Sequence, residues 1–424
     1  MLSKSNNIRK VFARGFTTYV QPGKFNAETN ETIGNRISNV CEKFSYNDAI
    51  SIPDHENYTL TYNDVLQNTR GLAGGFIEHS IKDDQTIVSN SFGVDSTMTH
   101  IAASFAGLNY VSIPPTSTFS EIGTHLNNQK ASSFVMADSN QRVMVDEALE
   151  FFPNLKTIYN DEYHRDNRFP ELKHIFSTGA SQQPGISLLR DIILDTKTSP
   201  NKNVTNTQIS ATYPVADGKY VSFTQKSLLN TADALAEFFN IKTAQRFSFA
   251  APLFEGNATA FNLACLSKGA LIALISQINP ANILNSIIKD KCDNLFISSS
   301  VLNTLVSSPE FARVENFELK KLIVVGEIDN SVVKQFESKC KGVESSIIPF
   351  VHAGQISGVV FNSSGVGKLL PNVEAKIVDS NGKELDFDNK GSLMTKGFHV
   401  GSNPAHWLKT NIKASMSKDG TIKL

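Results

Sequence analysis

The sequence has no apolar run long enough to cross a bilayer. A spanning helix needs about 20 consecutive apolar residues. The best candidate, GALIALI at 269–275, has the length of a core strand. Cysteine is scarce: Cys41, Cys265, Cys292 and Cys340 are widely spaced and form no CxxC pair. A chain of this size does not need disulfides, so buried thiols in a reducing compartment are expected. Neither sign of charge is in excess, with 40 basic and 41 acidic side chains and a formal net charge of −1. That balance leaves no electrostatic footprint for nucleic acid. Acid is missing from the N-terminus, where none appears before Glu28. There Lys4, Arg9, Lys10 and Arg14 interleave with Ile8, Val11, Phe12 and Phe16. A basic, amphipathic, acid-poor start predicts a mitochondrial presequence over 1–20, and so a protein of the matrix or of the matrix side of the inner membrane. The other readings are a disordered basic tail or a retained arm that contacts a partner or an anionic membrane surface.

What is present is enough apolar material for a sizeable core: 424 residues at 40% hydrophobic, which suggests two or three subdomains. Helical and strand-like segments alternate. Val65, Leu66, Leu72, Phe76 and Ile77 fall near helical spacing after possible caps at Thr61 and Asn63. QTIVSN at 85–90, the strand before Pro114-Pro115, and ASSFVMAD at 131–138 predict short strands. This βαβα rhythm predicts mainly parallel sheets with helices on their faces. It weakens over 155–205 and returns with LKKLIVVGE at 319–327. Strand alternation around Asn381-Gly382 and Asp419-Gly420 predicts hairpins and a β-rich last lobe. The expected fold class is α/β: a first α/β subdomain at 21–205, a second at 206–360, and a small barrel-like β subdomain at 361–424.

Glycine is sparse where the chain most resembles a nucleotide loop. ATYPVADGKYVSFTQKSLL, at 211–229, runs into a helix with Gly218 alone. Around it, YTLTYNDVLQNTRGLAGGF, APLFEGNATAFNLACLSKGALIAL and GVGKLLPNVEAKIVDSNGKEL stand in the order and texture of the adenylate-forming superfamily. That superfamily contains acyl-CoA synthetases, luciferases and peptide-synthetase adenylation domains. The resemblance covers roughly 55–424. It implies the large N-terminal domain of an enzyme that joins a carboxylate to ATP, releases pyrophosphate and passes the acyl group to a thiol.

Position by position, the resemblance implies departures. The family loop reads [ST]SG[ST]TGxPKGVxxTH. Lys219 and Thr224 match its lysine and threonine, but its glycines fall on Tyr213, Ala216 and Tyr220, and two loop hydroxyls on Pro214 and Val215. A proline removes a backbone donor, and side chains at glycine positions are expected to fill the space a phosphate needs. The metal-binding glutamate of YGxTE falls on Gln355, its threonine on Gly354 and its tyrosine on Val351. A magnesium ion prefers a charged oxygen ligand there. Glu327 stands where the adenine wall has a small residue, and Ile412 where the ribose-binding aspartate belongs. Glu255 replaces the acyl-side histidine of PLFH, and a buried anion there is expected to repel a carboxylate. The sequence given ends at Leu424, about where the family's hinge and mobile catalytic domain would begin.

Together these positions predict a pseudoenzyme without metal or cofactor, serving as an accessory subunit of a mitochondrial complex such as the respiratory chain or ATP synthase. Two other readings stand beside it: a binding module with a residual acyl or nucleotide pocket, and an adenylating ligase completed by another chain. Lys219 alone remains a candidate anion ligand. His352 has no second histidine near it in sequence, GVGKLL lacks P-loop spacing, and no Ser/His/Asp pattern appears.

Overall fold

Strand formation follows the buried apolar runs. The computed structural model describes residues 18–21, 28–54, 58–138, 144–158, 162–196, 203–215, 218–340, 342–352 and 355–424. Six strands, Thr86–Ser89, Asn109–Ser112, Ser133–Met136, His174–Ser177, Ser187–Leu188 and Ile209–Pro214, pair in parallel within a seven-stranded sheet. One edge is the antiparallel strand Tyr220–Thr224. The second sheet has a parallel centre of Asp48–Ile52, Leu271–Leu274, Arg246–Ala250, Asn294–Ser298, Lys321–Val325 and Glu344–Ile348. Antiparallel strands from Val359–Phe361 to Ile422–Lys423 extend it into the expected β-rich lobe. Leu271–Leu274 and Ser133–Met136 are buried throughout, as strands covered on both faces must be.

The sheets do not follow the division at 205/206. Ile209–Pro214 and Tyr220–Thr224 join the first sheet, while Asp48–Ile52 and Tyr58–Thr61 join the second. Pairing is a long-range property, and the local βα rhythm does not report which sheet a strand enters. One hydrophobic cluster therefore runs from Ile87 and Tyr110 of the first sheet to Phe249, Phe296 and Ile323 of the second.

Helix boundaries obey their caps. Thr61 opens Tyr62–Glu78 with a full capping box to Asp64. Gly93–Ala106 ends at Gly107, whose φ of 77° is the left-handed C-cap conformation. The weakly patterned 155–205 stretch contributes a strap. Leu194 N–H donates to the Gly71 carbonyl at 3.1 Å, and the strap lies on a glycine-rich face of Tyr62–Glu78. A Cβ at Gly75 would sit 1.9 Å from the Ile192 carbonyl oxygen.

The four cysteines are free and buried. Burial pushes the Cys41 and Cys292 thiols up to about 12, as expected of inert core residues. Residues 1–17, which carry the basic charges of the expected presequence, lie outside the described residues. The rest of that segment belongs to the fold. Tyr19–Val20 pairs antiparallel with Glu374 and Ala375, and the Tyr19 ring lies against Gly420. Among the described residues no helix is long and apolar enough to cross a membrane.

Gly75→Ala is expected to destabilise the protein by about 2–3 kcal/mol, because the strap's backbone must move to admit a methyl group. Denaturant unfolding measures this, and an unchanged midpoint would contradict the close packing of the strap.

Candidate active site

The loop expected to cradle phosphate is the turn of a β-hairpin. Pro214 pairs with Tyr220 and Tyr213 with Val221, and Val215 N–H donates to the Lys219 carbonyl at 2.9 Å. Gly218, at φ 67°, is exposed at the turn beside exposed Lys219. Ala216 lies outside the described residues. The tyrosines at two of the family's glycine positions do not fill the loop. Tyr213 is completely buried and meets Phe223 edge-on at 6.1 Å. Its hydroxyl is buried without a hydrogen-bond partner, and burial pushes its phenol up. Tyr220 turns the other way and shares a 2.7 Å hydrogen bond with His125 Nδ1 on the helix Phe119–Asn128. Strand alternation sends the two rings to opposite faces of the hairpin. Thr224 serves locally as the N-cap of Gln225–Phe238, accepting from Ser227 N–H at 3.0 Å.

The metal and ribose positions are occupied differently. Gln355 is buried on a short hairpin, paired with His352, and its Nε2 donates to the Val400 carbonyl. Val351 packs with Val400 and Leu408. Gly354 lies outside the described residues. Beneath the hairpin, Thr395 Oγ1 donates to the Ser357 carbonyl at 2.8 Å and therefore accepts from His399 Nε2 at 3.0 Å. His399 Nδ1 is left buried without a partner, and burial pulls this imidazole down to about 3. Asn411 takes φ 61°, and Ile412 packs against the main core. Glu327 is exposed just past Gly326, at the end of Lys321–Val325. Among the described residues no group of three or more His, Cys, Asp or Glu converges as metal donors. Gln355 offers a divalent cation no charged ligand, and Ile412 offers a ribose hydroxyl no acceptor.

The feature that sequence reasoning missed is a cleft of about 250 Å³. It opens where the C-terminal ends of strands from both sheets meet: Ser91 to Gly93 and Pro115 from the first, Ala251 to Phe254 and Leu274 to Ile278 from the second. The signal was available in the PLF motif, but a cleft between two sheets requires the topology. Leu253 also lines a small pocket between Gly93–Ala106 and Gly256–Ser267. There Asn262 Nδ2 donates to Thr97 Oγ1 at 2.7 Å, His100 Nε2 meets Ser210 Oγ at 3.1 Å, and Asn262 Oδ1 has no partner. Its volume of about 10 Å³ has room for one water.

Glu255 follows the cleft residue Phe254 and is half-buried at the start of Gly256–Ser267, with Asn257 Nδ2 at 3.4 Å. Removal from water pushes its carboxyl up to about 7. Asp95, in the first turn of Gly93–Ala106, is pushed up to about 6 by the same cause. Burial thus disfavours the charged form of Glu255.

The comparisons agree with an enzyme. The family model described as AMP-binding enzyme matches residues 216–402. The Bacillus subtilis (strain 168) protein named "Putative acyl-CoA synthetase YngI" is 21% identical over 433 residues, spanning 93% of this chain and 78% of that protein. Among solved structures, a long-chain-fatty-acid-CoA ligase (FadD1) from Archaeoglobus fulgidus superposes with a TM-score of 0.79 at 15% identity, covering 96% of this chain and 86% of that one. The anthranilate CoA ligase AuaEII, solved with anthranoyl-AMP, gives 0.77 at 14% identity over 94% and 77%. The fold is that of the adenylate-forming superfamily, with acyl-CoA ligases among its structural neighbours. The expectation of a pseudoenzyme serving as an accessory subunit of a mitochondrial complex is overturned by these relatives, which are ligases and synthetases.

Buried neutral histidines make the fold acid-sensitive. Burial lowers His100 to about 4, so below pH 6.5 the unfolded chain binds a proton that the folded chain refuses. Its contribution is complete above pH 6.5 and is lost as pH falls toward 4, on the order of 3 kcal/mol. Urea unfolding of His100→Asn is expected to show a shallower fall in stability between pH 6.5 and 4.5 than the parent. Equal slopes would contradict a neutral buried imidazole.

Proposed function

We propose that this chain is an adenylate-forming ligase that activates an apolar carboxylic acid for transfer to a thiol, as acyl-CoA ligases do. The observation that carries the reading is the apolar cleft at the carboxyl ends of strands from two parallel sheets, the place where open α/β folds bind their ligands. In this reading the acyl group occupies the cleft between Phe249, Leu253 and Leu274, which exclude water from it. The protonated Glu255 carboxyl holds the substrate carboxylate by donating a hydrogen bond. The exposed ammonium of Lys219 supplies positive charge to the polyphosphate from the open face of the hairpin. A carboxylate oxygen attacks the α-phosphorus of ATP and pyrophosphate leaves; a thiol then displaces AMP from the acyl carbon.

Carboxylate-dependent ATP–pyrophosphate exchange tests this, run over a panel of aliphatic and aromatic acids with and without magnesium. Exchange that requires the acid is expected, and Lys219→Ala is expected to reduce it about 10- to 100-fold. No acid-dependent exchange under any of these conditions overturns the reading.

Glu255 gives the binding step a pH signature. Its proton is present below pH 7 and lost above, so carboxylate binding is expected to weaken as pH rises from 6.5 to 8. Glu255→Gln, a permanent donor, is expected to flatten that profile, while Asp95→Asn leaves it unchanged above pH 7. Calorimetric titration measures both, and an unaltered pH profile in Glu255→Gln would remove Glu255 from the carboxylate site.

A further inference from the structure

Charge is balanced over the whole chain but not along it. The β-rich lobe at 361–424 carries nine lysines against six acidic residues, and the first 27 residues carry five basic residues and no acid. The excess of acid therefore lies in the body between them. Strand register gathers part of the positive charge on one face. In the sheet of Glu374–Val378, Gly391–Lys396 and Leu408–Met416, Glu374 stands opposite Lys396, Lys376 opposite Met394, and Met394 opposite Lys409. Side chains two residues apart share a face, so Lys376, Lys396 and Lys409 stand on one side. Ser392 belongs to that side and accepts from Lys413 Nζ at 2.7 Å. The other side, with Ala375, Ile377 and Leu393, is buried in the main core.

The basic face has an aromatic centre. Trp407 is the only tryptophan of the chain, and Lys376 Nζ and Lys396 Nζ lie 4.4 Å and 5.2 Å from its ring centroid. Glu384 and Glu374 hold these two ammonium groups at 2.8 Å and 2.7 Å, while Lys409 and Lys413 are exposed. The strand Tyr19–Val20 extends the face by pairing Val20 with Glu374. The Val20 side chain is 54% exposed. The basic and apolar side chains interleaved over 4–16 are thereby tethered to the edge of this face.

We propose that this face of the β-rich lobe, together with the start of the chain, is a docking surface for an anionic phospholipid membrane. The lysine ammonium groups meet lipid phosphates, and their aliphatic stems and the Trp407 ring suit the boundary between headgroups and acyl chains. Val20 and the apolar side chains of the start add the hydrophobic part. A basic cluster or a short apolar segment alone gives marginal membrane binding, and the two joined through one edge strand give stable binding. The apolar side chains favour a lipid surface over a nucleic acid, whose phosphate backbone is met by charge alone.

Co-sedimentation of the full chain with vesicles of phosphatidylcholine, alone or mixed with phosphatidylglycerol, tests this. Binding is expected to the anionic vesicles only, and to fall at high salt as the attraction is screened. Each basic residue near an anionic surface strengthens binding about fivefold, so Lys409→Glu with Lys413→Glu is expected to weaken it by at least about 25-fold. Lys334→Glu, on the exposed side of the helix Asn330–Glu337, is expected to leave it unchanged. Trp407 gives a second readout in the parent protein, whose emission is expected to be quenched by brominated phosphatidylcholine within anionic vesicles. Equal binding to neutral and anionic vesicles, binding indifferent to the double variant, or an unquenched Trp407 in vesicle-bound protein overturns the proposal. Failure to bind vesicles also overturns it, and retention of single-stranded RNA in that case assigns the face to nucleic acid. None of these readouts involves the cleft, so the two readings stand or fall separately.

Discussion

One continuous hydrophobic core runs through both α/β halves, and every feature of the site depends on it. Ile87 and Tyr110 of the first sheet belong to the same cluster as Phe249, Phe261 and Phe296 of the second. Separating the halves would expose that shared surface at roughly 25 cal/mol for each Å². The carboxyl ends of the two sheets are therefore held facing one another, and the cleft between them is a fixed consequence of packing. The polar seam beside it, from His100 and Ser210 to Asn262 and Thr97, lies inside this core. Its hydrogen bonds admit few alternative arrangements, because an unmade bond there is costly.

The hairpin at 209–224 shows why residue identity at an aligned position is a weak guide to space. Tyrosine at a glycine position suggests a blocked loop, yet the direction of the side chain decides what is blocked. Tyr213 and Tyr220 lie an odd number of residues apart across a tight turn, one on each strand. Each is drawn to a different interior surface, Tyr213 toward Phe223 in the main core and Tyr220 toward His125. The rings anchor the hairpin to both halves of the molecule and leave Gly218 and Lys219 outside. Glu255 makes the same point for charge: an acidic residue is an anion only where water or a partner stabilises it, and its surroundings supply little of either.

Much of the fold was legible in the sequence because it is written locally. The capping box at Thr61, the left-handed stop at Gly107, the buried run at 271–274 and the turn at Asp419-Gly420 each depend on a few adjacent residues. What was not legible is written between distant residues. The exchange of Asp48–Ile52 and Ile209–Pro214 between sheets, the strap of Ile192 and Leu194 over a glycine face, and the pairing of Tyr19 with Ala375 all join segments far apart in the chain. The site divides along the same line. The identities of Lys219, Gln355, Ile412 and Glu255 were readable, but whether each faces the cleft, the core or solvent was not.

The distribution of charge around the cleft follows from these placements. Gln355 is committed to Val400 and Ile412 to the core, so neither brings an anion to the site. The acidic groups beside the cleft, Glu255 and Asp95, are raised toward neutrality by removal from water. A carboxylate entering such a place meets apolar walls, which disfavour its charge, and a carboxyl donor, which favours it. In a low-dielectric setting the hydrogen bond gains strength while the opposing anion is suppressed. The same desolvation that makes Glu255 a poor anion would make it a good partner for one in the proposed reading.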